Sequence, residues 1–129
     1  MKYLCMVYME DGLIGSLSPA ELQALDRDSF GYDVELKRTG RLVHAEALQG
    51  VESATCVRVR SGKVSTTDGP YAETKEHLGG FILVEARDLN EALRIASGIP
   101  LAKLGATIEV RPIYQMPAAV AAGADGARP

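Results

Sequence analysis

Hydrophobic and polar positions fall into blocks along this chain, and the blocks predict alternating strands and helices. Residues 2–9 are mostly apolar or aromatic and predict a first strand. Ser18-Pro19-Ala20-Glu21 then starts a helix. Ser18 can accept from the Glu21 amide, the Glu21 carboxylate can reach back, and Pro19 suits the first helical position. Leu22, Leu25, Ser29, Tyr32 and Leu36 share one face of that helix. Lys37 and Arg38 suit the negative end of its dipole, and Gly40 suits a left-handed stop, so the predicted helix runs over 19–38. Residues 41–48 alternate, with Leu42, His44, Glu46 and Leu48 on one side and Val43, Ala45 and Ala47 on the other. Residues 54–60 predict a third strand, Ser61-Gly62 a hairpin turn, and 63–66 a short return strand. Residues 80–86, centred on Phe81-Ile82-Leu83-Val84, predict an apolar strand covered on both faces. Asp88 caps a second helix whose apolar stripe is Leu89, Ala92, Leu93 and Ala96, ended by Gly98 and Pro100. Residues 106–113 predict the last strand, with Ile108 and Val110 opposite Thr107, Glu109, Arg111 and Ile113.

Strand, helix, strand, strand, helix, strand is the split βαβ order of a ferredoxin-like α+β fold, here with an extra β-hairpin. It predicts an antiparallel sheet with both helices on one face. The other face is then open. It carries leucines beside His44 and Glu46, and Ile113 beside Glu109 and Arg111. Such a mixed face suits a homodimer in which two sheets pack together around a partly polar cavity.

The chain has 129 residues, enough for one domain with a core of its own. We expect that domain over residues 1–115. From 116 to 129 the chain is rich in Ala, Gly and Pro with little to bury, which predicts a mobile tail. The net charge of -3 supplies no basic excess to neutralise phosphates, so nucleic acid is not an expected partner. No apolar run approaches the ~20 residues that span a bilayer. The apolar start meets Glu10 and Asp11 too soon for a secretory leader and reads as a strand. Cys5 and Cys56 sit inside predicted strands, which fits reduced thiols in a cytoplasmic protein.

Chemistry concentrates in Thr67 to Phe81, which mixes ionisable groups with turn formers and glycines. Asp68-Gly69-Pro70 reads first as a turn, with the Asp68 side chain able to bond an amide two residues on. As a carboxylate at a cavity mouth, Asp68 would instead act as a base or acceptor. Tyr71 offers a phenol and Glu73 a carboxylate in the same loop. Lys75 and Glu76 fit a solvated charged surface. His77 is one of two histidines and suits proton transfer near neutral pH. The glycines after it permit close approach of a ligand or another backbone. His44 and Glu46 lie about 7 Å apart along one strand face. They suit an acid/base pair or an interface hydrogen bond, and two ligands are too few for a metal site. Glu109 and Arg111 repeat that spacing as an ion pair, or as a substrate anchor through Arg111. The sequence holds no Gly-rich phosphate loop, paired-cysteine zinc motif, nucleophile elbow or dinucleotide fingerprint, so no cofactor is expected.

Several stretches carry a resemblance: Met1-Lys2-Tyr3, Ser18-Pro19-Ala20-Glu21-Leu22, Val57 to Lys63, Thr67 to Phe81, Glu85 to Ala92 and Ile108 to Ile113. Together they resemble the YCII-related family, and Asp68-Gly69-Pro70-Tyr71 resembles its DGPF signature with Tyr in place of Phe. The resemblance implies a dimeric α+β barrel, in a superfamily that includes lactone isomerases and small monooxygenases. Some members pair a His with an Asp near the cavity, but the first helix here contains no His. Members often carry Gln at the place of His77. Members with this signature are also often associated with extracytoplasmic-function sigma factors.

Two functions follow as expectations. One is proton-transfer chemistry, isomerase- or lyase-like, on a small polar or anionic metabolite in a dimer cavity. There His44, Glu46, Asp68 and His77 act catalytically, and Tyr71, Glu73, Glu109 and Arg111 hold the substrate. The other is a non-catalytic ligand-sensing or protein-binding module, associated with a sigma factor.

Overall fold

In the computed structural model, residues 1–119 are described, so most of the expected tail, residues 120–129, lies outside them. The chain forms strand β1 (Lys2–Glu10), helix α1 (Pro19–Arg38), β2 (Leu42–Ala47), β3 (Thr55–Arg60), β4 (Lys63–Asp68), β5 (Glu76–Glu85), helix α2 (Leu89–Ser97) and β6 (Thr107–Pro112). Four strands make an antiparallel sheet in the order β2-β5-β1-β6, the ferredoxin-like arrangement. The pair β3–β4 is a separate hairpin. Its turn has positive φ at both Ser61 (51°) and Gly62 (76°), which matches the twist of paired strands.

Both helices cover one face of the sheet. Tyr3, Cys5 and Val7 of β1 and Ile82 and Val84 of β5 form the core with Leu36 of α1 and Ala92, Ile95 and Ala96 of α2. Helix α1 starts as its sequence demands: the Glu21 amide donates to Ser18 Oγ (3.1 Å) and the Ser18 amide to the Glu21 carboxylate (2.8 Å).

The structure departs from the sequence pattern in four places. Strand β5 begins at Glu76, so His77 lies on a strand rather than in a loop, because pairing with β1 continues through Met9↔His77 and Glu10↔Glu76. Strand β4 likewise runs on to Asp68, which pairs with Thr55. A bulge between Leu42 and His44 inserts Val43 and turns Leu42 to the helix side, where it packs against the core instead of beside His44. Helix α2 buries Glu91, Ala92, Ile95 and Ala96, while Leu89 and Leu93 are exposed.

Glu91 explains that rotation. Its carboxylate accepts from Arg87 Nε at 3.0 Å, from the Arg87 amide at 3.3 Å and from Arg41 Nε at 3.4 Å. A carboxylate with two guanidinium partners can sit at the edge of a core that an isolated one cannot enter. The hydrogen bond from Arg41 is the largest influence holding Glu91 below the usual carboxylate range. Burial opposes it, and Arg87 adds to the lowering. A lowered folded-state value stabilises the fold above the unfolded value and loses that stability as pH falls through the folded one. Glu91→Gln is therefore expected to lower the melting temperature at neutral pH. The gap to wild type should narrow as pH falls through the carboxylate range, as thermal melts across a pH series will show.

Gly80 marks where β2 crosses closest to β5. A Cβ there would lie 2.9 Å from the Glu46 carbonyl oxygen and 3.3 Å from Ala47 Cα. Both are backbone atoms and cannot swing aside. Gly80→Ala is expected to cost about 1–3 kcal/mol, as overpacking does, and denaturant unfolding measures it.

Candidate functional site

A cavity of about 650 Å³ opens on the helix side of the sheet, between α1 and the ends of β1, β2 and β5. Its floor is made of Met9, Ala47 and Gly79; its helix wall is Leu22, Leu25, Asp26 and Ser29. Leu48, Gln49, Val51 and Glu52, from the end of β2 and the turn beyond it, line another side. Glu10, Asp11, Gly12 and Ile14 follow β1 into its rim. A bulge helps shape the floor: β1 pairs Val7 with Gly80 and Tyr8 with Leu78, leaving Gly79 as the extra residue.

His77 lines this cavity, because the register that pairs it with Met9 puts both on the helix side. Its side chain is only 14% exposed. Nδ1 lies 3.0 Å from the Asp11 carboxylate and Nε2 lies 3.2 Å from the Ala72 carbonyl oxygen. Both partners can only accept. A neutral imidazole donates to only one of them at a time, and the tautomer with the proton on Nδ1 donates to Asp11. Ala72 lies in the exposed loop before β5, and its carbonyl covers the Nε2 edge of the ring. Sequence reasoning missed Asp11 altogether.

A second cleft of about 330 Å³ shares Ser29, Ala47, Gly79 and Leu101 with the first and runs along α1 to Tyr32 and Asp33. Burial pushes the Asp33 carboxyl up from its ordinary value. Burial also raises the Tyr32 phenol, whose hydroxyl donates to the Ile95 carbonyl at 2.5 Å and thereby ties α1 to α2.

The other sequence candidates lie elsewhere. Tyr3, Cys5, Val7, Ile82 and Val84 face the helices, so alternation puts Leu4, Met6, Phe81 and Leu83 on the open face. His44 and Glu46 pair with Leu83 and Phe81 and share that open face. The two approach at 3.5 Å, and the His44 and Phe81 rings lie 6.0 Å apart. Glu109 and Arg111 pair with Met6 and Leu4 on the same face, 4.0 Å apart, but on β6 at the opposite sheet edge. Two strands separate the pairs, a span of about 14 Å at ordinary strand spacing. Within one chain they do not converge, and His77 is on the other side of the sheet. The Asp68 carboxylate makes none of the turn bonds its sequence suggests; the Gly69 amide donates instead to the Ala54 carbonyl (2.8 Å). Tyr71 is 83% exposed with the Arg58 guanidinium 6.0 Å from its ring, and Glu73 is exposed in the same loop.

Among the described residues no group of three His, Cys, Asp or Glu side chains could hold a metal. Both cysteines are free. Burial pushes the Cys5 thiol up to about 11, and Cys56 donates to the Gly69 carbonyl at 3.3 Å. Neither is an activated nucleophile. No described helix is long and apolar enough to cross a membrane.

Fold and cavity together define a small ferredoxin-like α+β protein with a histidine–aspartate pair at a ligand-sized cavity under its helices. Residues 1–117 match the YCII-related domain, and the chain belongs to that family. It is 31% identical over 114 residues to the uncharacterised protein R00369 of Rhizobium meliloti (strain 1021), covering 88% of this chain and 92% of that one. A solved structure of similar fold is the 5-chloro-2-hydroxyhydroquinone dehydrochlorinase TftG of Burkholderia phenoliruptrix AC1100, in complex with 2,5-dihydroxybenzoquinone. It has a TM-score of 0.55 and 15% identity, covering 90% of this chain and 96% of TftG.

Proposed function

We propose that this protein is a proton-transfer enzyme, isomerase- or lyase-like, acting on a small cyclic metabolite in the cavity beside His77. The observation that carries the reading is the half-buried imidazole held at 3.0 Å by Asp11 at the edge of a 650 Å³ cavity with apolar walls. In the tautomer that donates Nδ1–H to Asp11, Nε2 carries no proton and takes one from the substrate once the loop carrying Ala72 withdraws its carbonyl, while Asp11 orients the ring. When His77 takes a proton from a ring carbon, the electron pair left behind forms a new double bond. Either the proton returns at another atom, which is isomerisation, or a neighbouring leaving group departs with its own pair, which is elimination. The dehydrochlorinase activity of the structural neighbour is a reaction of the second kind and supports the choice of probe.

The mixed open face supports a homodimer through the sheets. In it His44, Glu46, Glu109 and Arg111 are interface groups rather than catalytic ones. Asp68, Tyr71 and Glu73 belong to the loop and hairpin region over which a substrate enters. The free thiols support a reducing, cytoplasmic setting.

The test is to incubate the protein with halogenated and plain polyhydroxylated rings, 5-chloro-2-hydroxyhydroquinone among them. Chloride release and product formation are then followed for wild type and a His77 variant. Turnover that depends on His77 is the expected result. Rings that bind and return unchanged would sink the enzyme reading and favour a ligand-sensing module that works with a sigma factor. The exposed Val57, Val59 and Val64 of the hairpin would then be the surface to examine.

A further inference from the structure

We infer that the cavity selects uncharged, hydroxylated rings and turns away their carboxylated or phosphorylated counterparts. The inference rests on the reading of this cavity as the substrate site and narrows the polar or anionic metabolite that the sequence pattern suggests to its uncharged polar form. Four carboxylates line the cavity, those of Glu10, Asp11, Asp26 and Glu52, and no Lys or Arg lines it. Lys75 reaches the rim carboxylate Glu10 at 3.7 Å, but its side chain is 86% exposed and it does not line the cavity. Arg111, the expected anchor for an anion, is on the open face of the sheet.

An anion entering between apolar walls sheds water and needs a counter-charge in return. Here it meets like charges at an exposed rim, a repulsion that salt screens. An uncharged polyhydroxylated ring meets complementary chemistry instead. Carboxylates only accept hydrogen bonds, and ring hydroxyls donate them. Leu22, Leu25, Ile14 and Leu101 offer apolar contact to the ring. The acids therefore set specificity by rejecting the wrong charge as well as by holding the right hydroxyls.

The experiment is calorimetric titration of the full chain with a matched pair, catechol and 3,4-dihydroxybenzoate, at low and high salt. Catechol should bind at least about 10-fold more tightly at low salt. Salt should narrow the ratio by improving the carboxylate's affinity. The double variant Asp26→Asn/Glu52→Gln, which leaves His77 and Asp11 untouched, should narrow it in the same way. A carboxylated ring that binds as well as or better than catechol overturns the inference while the proton-transfer site stands. So does a ratio that neither salt nor the double variant changes. Failure of both rings to bind removes the site reading and the inference together.

Discussion

His77→Gln should bind a ring ligand nearly as well as wild type and turn it over roughly 10²–10⁴-fold more slowly, the usual worth of a positioned acid or base. That is about 3–5 kcal/mol of barrier. Glutamine is the informative replacement because it keeps one donor and one acceptor at nearly the same reach. It can answer the Asp11 carboxylate or the Ala72 carbonyl, yet it cannot carry a proton. A drop in kcat at unchanged KM therefore assigns proton transfer to His77. Full activity in the variant would assign it hydrogen bonding alone. Asp11→Asn should cost much less, about fivefold. The Asp11 side chain is 64% exposed, and solvent-screened pairs are worth ~1 kcal/mol or less. Equal losses in the two variants would mean that Asp11 does more than orient the ring. Circular dichroism on both keeps loss of fold apart from loss of chemistry.

The fold was legible in the sequence because each element carries its own local signal. Ser18 and Glu21 make the capping box that their spacing predicts, and Ile108 and Val110 alternate inward as expected. The site was much less legible. His77 drew notice for its chemistry, but its partner is 66 residues away. Strand register joins them: β1 and β5 pair Met9 with His77, and Asp11, two residues beyond Met9, reaches the ring diagonally. In the sequence Asp11 reads only as a charge that closes the apolar start. His44 and Glu46 misled for the converse reason. Two-residue spacing puts them together, as it does Glu109 and Arg111, but strand order then sends the two pairs to opposite edges. The exposed leucines of α2 misled because hydropathy cannot anticipate Arg41, 50 residues away, neutralising Glu91.

Phe81→Glu should convert a dimer into a monomer with its fold and its cavity intact. Phe81 lies across the middle of the open face, paired with Met6 on one side and Glu46 on the other. It is half-buried in the single chain, while the core lies on the opposite face of the sheet. The substitution removes an aromatic ring from the proposed interface and sets a second carboxylate beside Glu46. In a two-fold interface every change occurs twice. Losing roughly 1.5–3 kcal/mol of side-chain burial on each side gives roughly 3–6 kcal/mol, or about 10²–10⁴ in the dissociation constant, before charge repulsion adds to it. Light scattering and native mass spectrometry of wild type and variant at matched concentration read the result directly. Leu83→Asp, one pleat further along the same face, should behave alike, whereas Leu89→Asp on the exposed side of α2 should leave the dimer intact. A monomeric wild type would remove the sheet-to-sheet assembly and, with it, the interface role of His44, Glu46, Glu109 and Arg111. It would leave the His77 cavity untouched, because that cavity lies on the helix side of the sheet, opposite the open face.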